Sequence, residues 1–157
     1  MFASDPDTLI SRFYELYTFP VDRHVDRDAL GELFWPDGRV RSAMTAAGRE
    51  EVLDLTASEF LDQIASMVAA RHEHGVSVIR RELSRRVDRY GTMAQVWSVY
   101  SATMNKDDAE IRGRAAFAFN LLQARGRWWI TDLLSYTERS HEPIPEKYLS
   151  RLGASNT

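Results

Sequence analysis

Four strand-length segments, residues 76–88, 94–104, 112–123 and 128–137, follow one another with only short turn signals between them. Tyr90-Gly91, Asn105 to Asp108 and Arg125-Gly126 are the connections, and connections this short return the chain beside itself, so the strands form an antiparallel meander. Upstream the apolar spacing is helical. Helices first and a meander afterwards mean an α+β fold, with helices packed on one face of a sheet.

The last strand sharpens this picture. In GRWWITDLLSYTE, Gly126 to Glu138, alternation places Trp128, Ile130 and Leu134 on one side and Trp129, Leu133 and Ser135 on the other, so both faces are apolar. An antiparallel sheet usually keeps one face wet, which points to helices covering one side and a second copy of the chain covering the other. A two-residue turn at Arg125-Gly126 opposes Leu121 to Ile130 and Asn120 to Thr131. One face is then Phe117, Phe119, Leu121, Trp128, Ile130, Asp132 and Leu134, bulky enough for an interface. The other is Ala116, Ala118, Asn120, Leu122, Trp129, Thr131, Leu133 and Ser135, mixed in size and polarity as the wall of a cavity is.

The helices can be read one by one. Ser4-Asp5-Pro6-Asp7 caps a first helix carrying Leu9, Ile10, Phe13, Leu16 and Tyr17, which Phe19-Pro20 ends. A short second helix fits residues 28–34. Trp35-Pro36-Asp37-Gly38 then signals a turn before a brief strand over residues 39–44. Val52, Leu53, Leu55, Phe60, Leu61, Ile64, Met67 and Val68 predict a long third helix from Arg49 to about Ala70, closed by His72-Glu73-His74-Gly75. Residues 139–157 read as a proline-punctuated, extended tail.

The chain of 157 residues suits one domain over 1–157. A formal charge of -3 gives no general attraction to nucleic acid or anionic lipid. Cysteine is absent, which removes thiol catalysis, thiolate metal sites and disulfides and makes the cytoplasm the default location. The N-terminus lacks the pattern of a leader, and no segment approaches the roughly 20 apolar residues of a membrane span.

Helix, short helix, PDG turn, brief strand, long helix and a meander ending in GRWWI together resemble the nuclear transport factor 2-like superfamily, which includes ketosteroid isomerases and SnoaL-like polyketide cyclases. RRVDRYGTMAQVWSVYS before GRWWI is similar to uncharacterised bacterial members. The resemblance implies a curved antiparallel sheet forming a cone, covered on its concave face by the three N-terminal helices, with a pocket inside and a convex face that pairs with another subunit. It implies fold rather than chemistry. Matching LLSYT to the isomerases' last strand puts Leu133 and Ser135 inside. The isomerases' carboxylate positions fall at Ser42 and near Ala118, neither of which can act as an acid or base, so that reaction is disfavoured.

The expected ligand pocket therefore comprises Tyr17, Trp97, Ala118, Asn120, Trp129, Thr131, Leu133 and Ser135, with Tyr100 as a further wall. The expected dimer face comprises Phe117, Phe119, Trp128, Ile130, Asp132 and Leu134, with Asp132 paired to an arginine there. Tyr14, on a helix where superfamily enzymes often carry a pocket tyrosine, and His24, as a loop base, are the candidate catalytic groups. His72 and His74 flank Glu73 as alternate strand residues, but with no third ligand visible they read as polar residues at a helix-to-strand junction, and no metal is expected. RRELSRRVDR mixes Glu82 and Asp88 with its arginines, as a solvated edge strand does.

Two functions remain open. One is a homodimer binding a small, mostly apolar molecule in the cone, with or without cofactor-free lyase, isomerase or cyclase chemistry. The other is a non-catalytic interaction or assembly module using the convex face.

Overall fold

A computed structural model describes residues 3–106 and 109–149. Part of the expected connection at Asn105 to Asp108, and the tail beyond residue 149, lie outside the described residues. Helix α1 spans Pro6–Leu16, α2 Arg27–Gly31 and α3 Ala57–Glu73; strands are β1 Phe34–Ala46, β2 Arg49–Thr56, β3 Val78–Tyr90, β4 Met93–Lys106, β5 Ala109–Ala124 and β6 Arg127–Thr137. The strands make one curved, unclosed sheet in the order β2-β1-β6-β5-β4-β3. The helices cover its concave face.

Asp5 caps α1 by accepting from the Thr8 N–H at 2.7 Å, and Pro6 opens the helix where a missing N–H costs nothing. Leu9, Ile10, Phe13 and Leu16 then point into the core with Leu30 of α2 and Phe60, Leu61, Ile64 and Val68 of α3.

Three expectations need correcting. The sheet is not wholly antiparallel, because β1 runs parallel to β6, with Val40 beside Leu133. The third helix also starts later, since residues 49–56 are strand β2 and Val52, Leu53 and Leu55 belong to it. Ala47 and Gly48 both take positive φ, a two-residue hairpin turn that pairs Ala46 with Arg49. A capping box at Thr56 and Glu59, with both reciprocal bonds at 3.1 Å, then starts α3 at Ala57.

Trp35 to Gly38, expected as a turn ahead of a brief strand, is an irregularity inside the longer strand β1, between the pairs Phe34–Ile130 and Arg39–Asp132. Gly38 sits so close to the backbone that an added Cβ would lie 2.9 Å from the Trp35 carbonyl oxygen.

Beyond β6 the tail folds back over the convex face. Arg114 binds Glu138 through two bonds of 2.8 and 2.9 Å, and Glu138 accepts from the Ile144 N–H at 2.7 Å. Ile144 is buried, Tyr148 stacks on Trp97 at 5.0 Å, and Ser84 donates to the Tyr148 carbonyl.

Candidate functional site

The hairpin of β5 and β6 begins as the sequence implies, with Leu121 beside Ile130 and Leu122 beside Trp129. Thr131 is then an extra residue on β6, so Asn120 pairs with Asp132 and Phe119 with Leu133. This bulge breaks the period-two alternation within the strand. Ile130 before it and Leu133 after it both face the helices, although strict alternation separates them.

The expected faces change accordingly. Phe117, Phe119, Trp128 and Ile130, assigned to a dimer face, are buried in the chain's own core. Trp97, Ala118, Asn120 and Trp129, assigned to the pocket, are on the convex side. There Trp97 meets Tyr148, Ala118 pairs with Leu134, Asn120 accepts from Gln95 at 3.3 Å, and Trp129 sits edge-on to Trp35. Thr131 spends its hydroxyl on the Asn120 carbonyl at 3.0 Å. Leu133 and Ser135 do face inward, while Asp132 and Leu134 face outward. Asp132 accepts from Arg41 of the same chain at 3.3 Å.

Aromatic rings fill the centre of the cone. Phe13 lies 5.7 Å from Phe117 and 5.2 Å from Phe119, and Tyr100 stacks on Phe117 at 4.7 Å. These spacings are those of packed rings in contact.

Beside this core is a buried polar chain. The Tyr14 hydroxyl is 2.7 Å from Ser98 Oγ, and Ser98 Oγ donates to Glu82 Oε2 at 2.6 Å. Since Ser98 has one hydrogen and a carboxylate only accepts, Tyr14 must donate to Ser98. Arg85 grips Glu82 with two bonds and reaches Asp7 and Ser11 on α1 at 3.0 and 3.1 Å.

Glu82 and Arg85 are only 7% and 8% exposed in their side chains. Three residues apart, they would face opposite ways on a regular strand. A register shift at Leu83 turns both inward.

This arrangement favours a fixed network over acid-base chemistry. Glu82 is held by a guanidinium and a hydroxyl. Burial pushes Tyr14 well above the ordinary phenol value, an effect the Ser98 bond only partly offsets, so its hydroxyl is a neutral donor. His24, the other catalytic candidate, is exposed in the loop after α1. The structure does not join it to Tyr14.

Arg80 is the unusual cation of the inner layer. Its guanidinium lies 4.1 Å over the Tyr17 ring and 5.8 Å from Phe19, and its buried Nη1 has no hydrogen-bond partner among the described residues. Burial raises the neighbouring Tyr17 and Tyr100 hydroxyls as well, and the Arg80 charge opposes this in both. His72 is turned to the Phe19 carbonyl at 3.1 Å and His74 caps the end of α3, so the two are not alternate strand residues.

The sequence places Arg80, Glu82 and Arg85 on a solvated edge strand and does not single out Ser98; β3 is an edge strand, but Glu82 and Arg85 are buried. A signal was present: inward apolar residues of β3 change phase from Val78 to Val87, which requires an irregular residue between them.

A cleft lies outside the cone. It measures about 840 Å³ and runs between the outer side of α1, the end of α2 and the start of β6. A second of about 520 Å³ lies by the β3–β4 turn, and an apolar space of about 130 Å³ lies under the tail.

No family model matches the chain, and no curated protein does. Solved structures share its fold. An NTF2-like protein with a cystatin-like fold from Novosphingobium aromaticivorans superposes with a TM-score of 0.64 at 14% identity, over 90% of this chain and 84% of that one. An uncharacterised protein with a cystatin-like fold from Caulobacter vibrioides gives 0.60 at 10% identity, over 86% and 88%. A protein from Exiguobacterium sibiricum, provisionally titled a Ca/calmodulin-dependent kinase II association domain, gives 0.59 at 16% identity, over 85% and 90%. The chain thus has the NTF2-like fold, and identities this low speak to the fold alone.

Proposed function

We propose that this chain is a homodimeric, non-catalytic association module that pairs through the convex face of its sheet. The observation that carries this reading is apolar surface on the face without helices. Met93 and Leu134 are 56% and 51% exposed there, beside Leu122 and Trp129. Patches of this kind on a sheet face mark interaction surfaces.

A second copy is the partner that suits the surface. Arg39 and Arg41 alternate with Asp54 and Asp132 across β1, β2 and β6, so the face carries both signs and is self-complementary under a two-fold axis. Six strands at roughly 4.8 Å spacing and about ten residues long present on the order of 900 Å², close to the ~800 Å² each partner of a standard interface contributes. The described part of the tail, up to residue 149, lies over the corner around Trp97, Val99, Ala116 and Tyr136. The ring-filled cone and the neutral Tyr14 donor give acid-base chemistry little to work with.

Sedimentation equilibrium at micromolar concentration tests the reading. Twice the 18.0 kDa chain mass is expected, falling to one chain for a still-folded Leu134→Glu. A clean wild-type monomer refutes it.

A second reading, small-molecule binding inside the cone, is favoured by Arg80. The guanidinium has Tyr100 as a hydrogen-bonding neighbour, but its Nη1 is buried with no partner among the described residues, and a ligand bearing a carboxylate beside an apolar body would satisfy it. Thermal shifts with a panel of small aromatic acids, present in wild type and absent in Arg80→Met, are expected on this reading. No shift with any acid would count against it.

A further inference from the structure

The geometry points to a ligand site outside the cone: the groove between α1, α2 and β6 takes an uncharged, largely apolar small molecule that presents one hydrogen-bond acceptor to Trp128. The groove's volume, about 840 Å³, is within the usual range for small-molecule sites. One wall is a stripe of α1 that includes Thr8, Ser11 and Arg12, the other is Ala29 and Leu33 at α2, and Leu9 and Trp128 lie between them.

An independent observation within that wall requires an acceptor. The Trp128 indole N–H is buried and has no hydrogen-bond partner among the described residues, whereas the adjacent Trp129 donates its own to the Ala124 carbonyl at 2.9 Å. Buried donors are almost always satisfied, so one left open in the lining of a groove is a place for a ligand's oxygen.

Charge then narrows the class. Asp7 is tied to Arg85 and Arg12 to Glu15, each at 3.0 Å, and Arg127 donates to the Glu32 carbonyl at 2.6 Å. With Asp7, Arg12 and Glu15 already in ion pairs, an uncharged ligand leaves those pairs undisturbed. A cyclic ketone or lactone has the required chemistry.

The test uses 1-indanone and indane, which differ only in the carbonyl oxygen, titrated into ¹⁵N-labelled protein while the tryptophan indole resonances are followed. Trp128→Phe identifies the Trp128 resonance by its loss. Saturable movement of that peak with 1-indanone is expected, with indane binding at least tenfold more weakly. Thr8→Phe, an exposed helix position whose new ring stands in the groove, is expected to weaken 1-indanone at least tenfold while the rest of the spectrum stays folded. In Trp128→Phe the preference for the ketone, read on neighbouring amides, should vanish. An unmoved Trp128 peak, equal binding of indane, or full binding to Thr8→Phe overturns the proposal.

Discussion

Trp128 and Leu134 lie on one strand six residues apart, and strict alternation would put them on the same face; the bulge at Thr131 puts them on opposite ones. Substituting glutamate at each therefore separates the two descriptions. Trp128 is 1% exposed and belongs to the core cluster, so losing its ring costs about 3–5 kcal/mol. A glutamate left in its place must be desolvated or protonated, which adds several kcal/mol more. Against a stability of roughly 5–15 kcal/mol for a domain, Trp128→Glu should be largely unfolded. Leu134, half exposed, should tolerate the same change within about 0.5 kcal/mol and lose only its partner. Circular dichroism with urea melts reads folding, and light scattering reads mass. A folded, monomeric Trp128→Glu would refute the face assignment, as would an unfolded Leu134→Glu.

Three further outcomes follow from the same geometry. Arg85→Met strands Glu82 in a site 7% exposed and should cost roughly 3–5 kcal/mol in a denaturant melt, most of it recovered when Glu82→Leu is added; equal losses in the single and double variants would show that the pair is not coupled. Gly38→Ala should lower stability by about 1–3 kcal/mol, because the new methyl meets the Trp35 carbonyl oxygen, and an unchanged urea midpoint would contradict this. Burial holds Tyr14, Tyr17 and Tyr100 above the ordinary phenol value, so their folded pKa exceeds the unfolded one. Their contribution is whole below the unfolded value of about 10 and is lost as pH rises past it. Tyrosinate absorbance from these three should appear only with loss of the dichroism signal, and ionisation of all six tyrosines in folded protein would be the contrary result.

Much of the fold is legible along the chain because it is local. The cap at Asp5, the turn at Arg125-Gly126 and the close of α3 near Gly75 each depend on residues a few positions apart. Strand β2 was legible in part: Gly48 and the Thr56–Glu59 box both stand in the sequence, but apolar spacing through Val52, Leu53 and Leu55 also fits a helix, and pairing with β1 overrides it. The polar chain was hardly legible. Glu82 and Ser98 come together only across β3 and β4, and only because a residue is extruded at Leu83.

The division has one physical cause. Composition, capping, turn chemistry and apolar period determine that this chain makes helices and then an antiparallel meander, because those preferences act over a few residues at a time. Which face of each strand the helices cover is decided in the tertiary structure. A single extra residue, at Thr131 in β6 or Leu83 in β3, reverses the facing of every side chain beyond it, and only the packing of the sheet against α1 selects where that residue goes. Phe117 and Phe119 therefore became core, Trp97 and Trp129 became surface, and Tyr14 acquired a partner 84 residues away.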